Sequence, residues 1–253
     1  MRLITDALII RENNNIGESD RFVTALTREL GAVHASARGA QTLKGRGSAA
    51  TRLLSYSRLT LREGRSRDKY IIEDARPLRV FFDIHGDIAR LALAQYFCEL
   101  AGVLAPREEP AEEHLRLLLN ALHFLTQDQR DIRTVKAVVE LRLLTLSGYM
   151  PDLTACSSCR EDSGAPLWLL PRDGVLRCAK CERPGDARPL TPTLLAALRH
   201  IVYAPFEKCF AFQIPPEAVV SLSETAEAFL LCQLGRNFQT LQFYHTLDDV
   251  EHI

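Results

Sequence analysis

The sequence predicts an α+β protein of more than one domain: a small β-barrel or sandwich first, then helices that carry a four-cysteine zinc module. Three observations predict it. Residues 3 to 73 read as short apolar runs separated by Gly and Asn turns, apolar residues recur at helical spacing from Ile84 onward, and two Cys-x-x-Cys pairs stand 18 residues apart. With 253 residues, the chain can build one large domain or two to three small ones. Its 47% hydrophobic and 25% charged residues fit a folded chain and not a disordered one. The opening MRLITDALIIRENNN has too short an apolar run for a signal peptide, and no stretch approaches the ~18 apolar residues of a membrane span.

In the first part, Leu8-Ile9-Ile10 is an apolar run closed by Asn13-Asn14-Asn15 and Gly17. Arg21 to Thr27 alternates as a second strand, with Phe22 read as core, and Ala32 to Ala37 follows Gly31 as a third. A basic Gly-rich loop runs from Arg38 to Ser48, Leu53 to Leu61 makes a fourth strand, Glu63 to Lys69 a turn, and Tyr70-Ile71-Ile72 a last strand. Five or so short strands of this kind suit a small barrel or sandwich. Ile88, Leu91, Ala92, Gln95, Tyr96 and Leu100 then mark a helix ended by Gly102 and Pro106. Residues 107 to 113 read as an acidic linker, Leu115 to Thr126 as a second helix, and Ile132 to Leu146 as a third ending at Gly148. Leu194 to Val202 forms a helix stopped by Pro205, and Glu217 to Leu234 is the last long one.

Cys156, Cys159, Cys178 and Cys181 have the spacing of a zinc site. Each two-residue spacer lets a pair of thiolates turn onto one ion, and two pairs complete a tetrahedron at zinc–sulfur distances of roughly 2.3 Å. No histidine lies between residues 124 and 199, so the shell is all cysteine, and four protein ligands leave no open position: one structural zinc ion is expected. A redox pair would need a strand before it and a helix opening at it, whereas Pro151 and Asp152 precede the first cysteine and polar residues follow. Cys98, Cys209 and Cys232 lie in apolar surroundings, and spare buried thiols suit a reducing cytosol.

The net charge is −1, but it is distributed unevenly. Residues 30 to 69 carry nine Lys or Arg (Arg38, Lys44, Arg46, Arg52, Arg58, Arg62, Arg65, Arg67 and Lys69) against two acids, a net of +7. Such a block is a footprint of nucleic-acid binding, and strand alternation places Arg58, Arg62 and Tyr56 on one face. The knuckle segment 152 to 189 balances six bases with six acids, and zinc on four thiolates adds about −2, so it reads as a clip between helices and a poor phosphate grip.

No active site emerges. Phosphate loop, dinucleotide fingerprint, His-Glu-x-x-His and Gly-x-Ser-x-Gly patterns are all missing. Asp128 and Asp131 read as a helix N-terminal turn and Asp248 and Asp249 as a solvated tail. The expectation is a protein that is not an enzyme.

The plan resembles the RecO family of bacterial recombination mediators. Gly17-Glu18-Ser19-Asp20-Arg21 resembles the family's early Gly-Glu-x-Asp turn, and Arg38-Gly39-Ala40 the Arg/Lys-Gly-Ala/Gly after its third strand. Glu140-Leu141-Arg142-Leu143-Leu144 and Gly148-Tyr149-Met150-Pro151-Asp152-Leu153 are similar to its central helix and the approach to its first cysteine pair, and Leu234-Gly235-Arg236 to its C-terminal helix. The similarity covers essentially the whole chain. It implies an oligonucleotide-binding (OB-fold) barrel over 1–80 and a helical domain over 81–253 with a zinc finger inserted at about 152–185. It also implies a cytoplasmic, nucleoid-associated DNA repair protein that binds single- and double-stranded DNA, anneals complementary strands, complexes with RecR, contacts the C-terminal tail of the single-strand-binding protein and helps to load RecA.

The residues add two mechanistic expectations. Only Phe22, Tyr56 and Tyr70 are aromatic in the first 80 residues, so DNA contacts should run mainly to phosphate and leave bases free to pair. An acidic tail ending in an apolar residue needs an apolar groove with a cation at its rim, and Arg133, Lys136 and Arg142 are the candidates on the helix at 130 to 147. Family members often carry Phe just before Glu-Leu-Arg, where this chain has Val139. The alternatives from other classes are a zinc-finger regulator that reads sequence and an enzyme with an unfamiliar site.

Overall fold

The computed structural model describes residues 2–13, 21–37, 49–64, 69–127, 129–162, 166–182 and 185–248. Five strands, β1 (Arg2–Asn13), β2 (Arg21–Thr27), β3 (Gly31–Ala37), β4 (Ser55–Glu63) and β5 (Lys69–Val80), close into a barrel in the order β1-β2-β3-β5-β4. All neighbours are antiparallel except β3 and β5, which run parallel. The period-2 pattern explains the closure. Ala7, Ile9, Val23, Ala25, Val33, Ala35, Leu59 and Leu61 point inward and form the barrel core. Leu8 and Ile10 of β1 are also buried, on the opposite face, which is why 7–10 reads as an unbroken apolar run.

That second face is covered by helices. The chain folds as two compact units, Met1–Gln127 with Phe238–Ile253, and Asp128–Asn237. In the first unit, α1 (Ile88–Leu104) and α2 (Glu112–Leu125) pack on β1 and β2, and α6 (Gln239–Asp248) packs on α1. Residue 80, the expected domain boundary, ends the barrel's last strand, while the unit's packing continues through α2. Residues 105–111 are no free linker. Ala32 donates to the Pro106 carbonyl (2.9 Å), Glu108 to Leu30 (3.0 Å) and Ala111 to Arg28 (2.9 Å), so they form a strap over the β2–β3 hairpin. Gly31 permits it. Its φ is +64°, and a Cβ there would stand 2.0 Å from the Pro106 oxygen.

Several elements depart from their expected limits. β5 is 12 residues long because Pro77, a residue that punctuates strands, falls where the β4–β5 register shifts and a ladder N–H is dispensable. α1 runs through Gly102 to Leu104 because Gly102 lies against β1, where a Cβ would be in ordinary contact (3.8 Å) with Ile10. α6 is an element the sequence reading does not anticipate, and it ends at Asp248, read as part of a solvated tail: Phe238, Leu241 and Tyr244 are buried, Phe238 meets Tyr96 edge-on at 5.8 Å, and Thr240 donates to Glu99 at 2.6 Å.

The second unit holds α3 (Ile132–Leu146), α4 (Pro192–Tyr203) and α5 (Pro216–Leu234), with a four-stranded sheet between α3 and α4 in sequence. Asp131 caps α3 by accepting from Arg133 N–H at 2.8 Å, as expected, while Asp128 and Asp249 lie outside the described residues. Thr191 caps α4, with Pro192 in its first turn, and Gly235 at φ +59° ends α5.

Candidate metal centre and nucleic-acid interface

The sheet that carries the cysteines consists of β6 (Asp152–Cys156), β7 (Leu167–Leu170), β8 (Val175–Cys178) and β9 (Arg188–Leu190), in the order β6-β8-β7-β9. Parallel pairing of β6 with β8 sets Cys156 opposite Leu176, and two residues on, Cys178 N–H donates to Cys156 Sγ at 3.4 Å. A tight turn follows each. Arg160 N–H donates back to the Cys156 carbonyl at 2.9 Å and Cys181 N–H to the Cys178 carbonyl at 3.2 Å. The four sulfurs lie within 4.8 Å of one another, with Cys159 and Cys178 at 3.5 Å. A tetrahedral shell with ~2.3 Å zinc–sulfur bonds would place its sulfurs about 3.8 Å apart, so the donor set and its spacing fit a single ion.

The electrostatics point the same way. Burial works to raise Cys156, but backbone N–H groups of Cys159, Ser158 and Cys178 outweigh it and hold this thiol down to about 6. Hydrogen bonding with Cys159, and then burial, pushes Cys181 up to about 12. Four thiols this close cannot all ionise without a cation among them. A strand does precede the first pair, contrary to expectation, but no helix opens at it, so the arrangement is a knuckle and not a redox motif.

The centre is tied to its helices. Arg199 of α4 donates to the carbonyls of Leu153 and Thr154, both at 2.7 Å. Tyr203 Oη accepts from Leu153 N–H at 2.7 Å and donates to the Pro151 carbonyl at 3.1 Å. Gln233 of α5 donates to the carbonyls of Pro171 (2.8 Å) and Arg172 (2.9 Å) on the β7–β8 turn. The sequence signal for this hairpin is Leu167 to Leu170 and Val175 to Cys178 around Pro171-Arg172-Asp173-Gly174, with Gly174 at φ +65°.

Of the nine basic candidates, Arg38, Lys44, Arg46, Arg65 and Arg67 lie outside the described residues, and Lys69 opens β5. Arg52 is exposed. Arg58 and Arg62 share the outer face of β4 with Tyr56, as alternation requires, because Leu59 and Leu61 point into the core. They are not unengaged cations. Arg58 grips both oxygens of Asp6, at 2.7 and 3.1 Å, and Arg62 donates to Glu73 at 2.8 Å. The hydrogen bonds from Arg58 hold the Asp6 carboxyl below its usual range against the opposing effect of burial. Phe22 is not core. Val23 and Ala25 take the inward positions of β2, and Phe22 stands half-buried on the outer side.

The expected tail-docking cations need a larger correction. Arg133 is half-buried at the start of α3, but Lys136 is 1% and Arg142 6% exposed. Lys136 sits between Glu140 (2.9 Å) and Glu227 (2.7 Å), with Ser223 at 3.4 Å. Arg142 donates to the carbonyls of Ile201, Val202 and Ala204 at 3.1–3.2 Å, satisfying the end of α4. Both cations are spent inside the unit and form no groove rim. Of the spare cysteines, Cys98 and Cys209 are buried and Cys232 is exposed, also against expectation, and burial pushes Cys98 up to about 12.

A closed barrel with an arginine-bearing outer face, followed by a helical unit that carries a four-thiol knuckle, defines a multidomain protein of the β-barrel and four-cysteine-knuckle kind. No described helix is long and apolar enough to cross a membrane. Residues 1–81 match the family model described as Recombination protein O N terminal, and residues 85–242 the one described as Recombination protein O C terminal. The chain belongs to the RecO family of DNA repair and recombination proteins. It is 31% identical over 250 residues to the DNA repair protein RecO of Symbiobacterium thermophilum, covering 96% of each chain. It is 28% identical over 250 residues to that of Acetivibrio thermocellus, covering 98% of each. With that of Anaeromyxobacter sp. it shares 33% over 237 residues, 92% of this chain and 91% of the relative.

Proposed function

We propose that this chain is a non-enzymatic recombination mediator of the bacterial cytoplasm. It binds single- and double-stranded DNA, anneals complementary strands, and works with RecR and the single-strand-binding protein to load RecA. The full-length match to both RecO family models carries this reading. The barrel supports it. Five closed strands in the order β1-β2-β3-β5-β4, with β3 parallel to β5, suit an OB-fold, a fold that takes oligonucleotides on its outer surface. Arg38, Lys44, Arg46, Arg52, Arg58, Arg62, Arg65, Arg67 and Lys69 supply the cations. Contacts to phosphate hold a strand while its bases stay free, which is what annealing needs.

Cys156, Cys159, Cys178 and Cys181 hold one zinc ion. Bound there, it acts as a cross-link that fixes β6 and β8 against α4 and α5, and as a closed site it offers no position for catalysis. The single-strand-binding protein's tail is recognised by an apolar groove with a cation at its rim, for which Arg133 remains the candidate of the three on α3.

One competition experiment separates this reading from its alternatives. Random single strands, random duplex and complementary oligonucleotides are offered to the purified protein, with nuclease and ATPase assays run beside it in added metal. The mediator reading predicts binding to both random forms, faster annealing and no turnover. A large preference for one duplex sequence points to a sequence-reading regulator, and metal-dependent cleavage or ATP hydrolysis to an enzyme.

A further inference from the structure

The outer face of β1, β4 and β5 has an unusual charge register. Arg2 stands directly opposite Arg62, and Arg58 directly opposite Arg76. Like charges in facing positions destabilise a sheet, and this barrel carries two such pairs on one face. Three carboxylates make them tolerable, Asp74 by holding Arg76 (3.1 Å) and two others by sharing a pair of arginines each. Asp6 is shared by Arg58 (2.7 Å) and Arg28 (3.8 Å), and Glu73 by Arg62 (2.8 Å) and Arg2 (3.1 Å). Asp6 and Glu73 therefore each sit between two exposed arginines, and each three-residue group keeps a net charge of +1.

A carboxylate in a guanidinium fork occupies the position that a phosphate takes, because both present a pair of oxygens to parallel N–H groups. Arg58 and Arg62 are four residues apart on β4, or ~14 Å at ~3.4 Å per residue, a span of about four base steps along a duplex axis. Resting on the DNA-binding reading above, we propose that this face is a backbone-binding track in which Asp6 and Glu73 are internal competitors for phosphate. They hold four arginines in a ready geometry and, by occupying the forks, keep the grip on any one strand weak. An annealing protein gains from such a brake, since it must release the product duplex.

The test measures binding of a fluorescein-labelled oligo-dT to the full chain over a range of salt. Asp6→Asn with Glu73→Gln should tighten binding about ten-fold and steepen the log–log salt slope by roughly 1.4, at ~0.7 for each added phosphate contact. It should also slow release of annealed duplex. Unchanged or weaker binding overturns the proposal. Ile4, exposed on the same face between Arg2 and Asp6, provides a variant that breaks no ion pair. Ile4→Arg should tighten binding and Ile4→Glu weaken it, and indifference to both overturns the track even if the double variant does not fold. A wild-type chain that binds no oligo-dT at low salt defeats the DNA-binding reading itself, whereas wild-type binding with indifferent variants defeats only this proposal.

Discussion

At Lys136 the side chain's surroundings, not its charge, decide its role. Burial disfavours the ammonium, but Glu140 and Glu227 overcome this and raise its pKa. Lys136→Ala would take the shared cation from the buried Glu140 and the half-buried Glu227 and should cost about 3–5 kcal/mol, read from denaturant unfolding. Loss of tail-peptide binding with unchanged stability would instead return this residue to the docking role. His114 gives a pH-dependent prediction. It is buried on α2, its Nε2 has no hydrogen-bond partner among the described residues, and burial lowers its pKa from the ordinary value near 6.5. The unfolded chain then binds a proton that the folded one refuses, so stability should fall as pH drops below about 6.5. His114→Gln should flatten thermal stability between pH 6.5 and 5, before carboxylates such as Asp6 begin to protonate. Neither side chain announces its burial in the sequence. Lys136 falls within an ordinary amphipathic pattern, and only packing shows that α3 is covered on more than one side, with Lys136, Glu140 and Arg142 all interior.

Elements with a strong local signal are legible in the sequence. The paired cysteines, the helical spacing of α2 to α5 and the alternation of β2 and β3 each follow from short-range chemistry. The knuckle sheet, α6 and the strap at 105–111 depend on partners distant in sequence, such as Gln233 for the β7–β8 turn, Glu99 for Thr240 and Leu30 for Glu108. The strap makes Gly31→Ala a severe change. A left-handed φ and a 2.0 Å clash together should cost roughly 2–5 kcal/mol, seen as a lowered melting temperature of the barrel unit. In the knuckle, Arg160 takes φ +64° without being glycine. Arg160→Gly should therefore stabilise the zinc-loaded chain by up to about 1 kcal/mol. Cys178→Ser, or zinc removal by chelation, should lower the melting temperature of the second unit and reduce DNA affinity only indirectly. A Cys178→Ser chain that melts normally but loses DNA would make the knuckle a DNA reader.

For the whole molecule, the family is legible because order is specific even where each motif is short: a barrel, then helices, then two cysteine pairs, then further helices. The distribution of charge is only partly legible. Counting residues finds the basic block, but pairing across strands shows that Arg58 and Arg62 share their charge with Asp6 and Glu73. The function proposed for this molecule stands on one physical idea, that the protein holds DNA by its phosphates and leaves the bases free to pair. Two complementary dye-labelled oligonucleotides, their annealing followed by energy transfer across a salt series, put that idea to the test. Phosphate-held strands should anneal faster with the protein than without it, and the acceleration should fade with salt in step with single-strand affinity. Bound strands that anneal no faster than free ones, or an affinity nearly flat in salt, would contradict it.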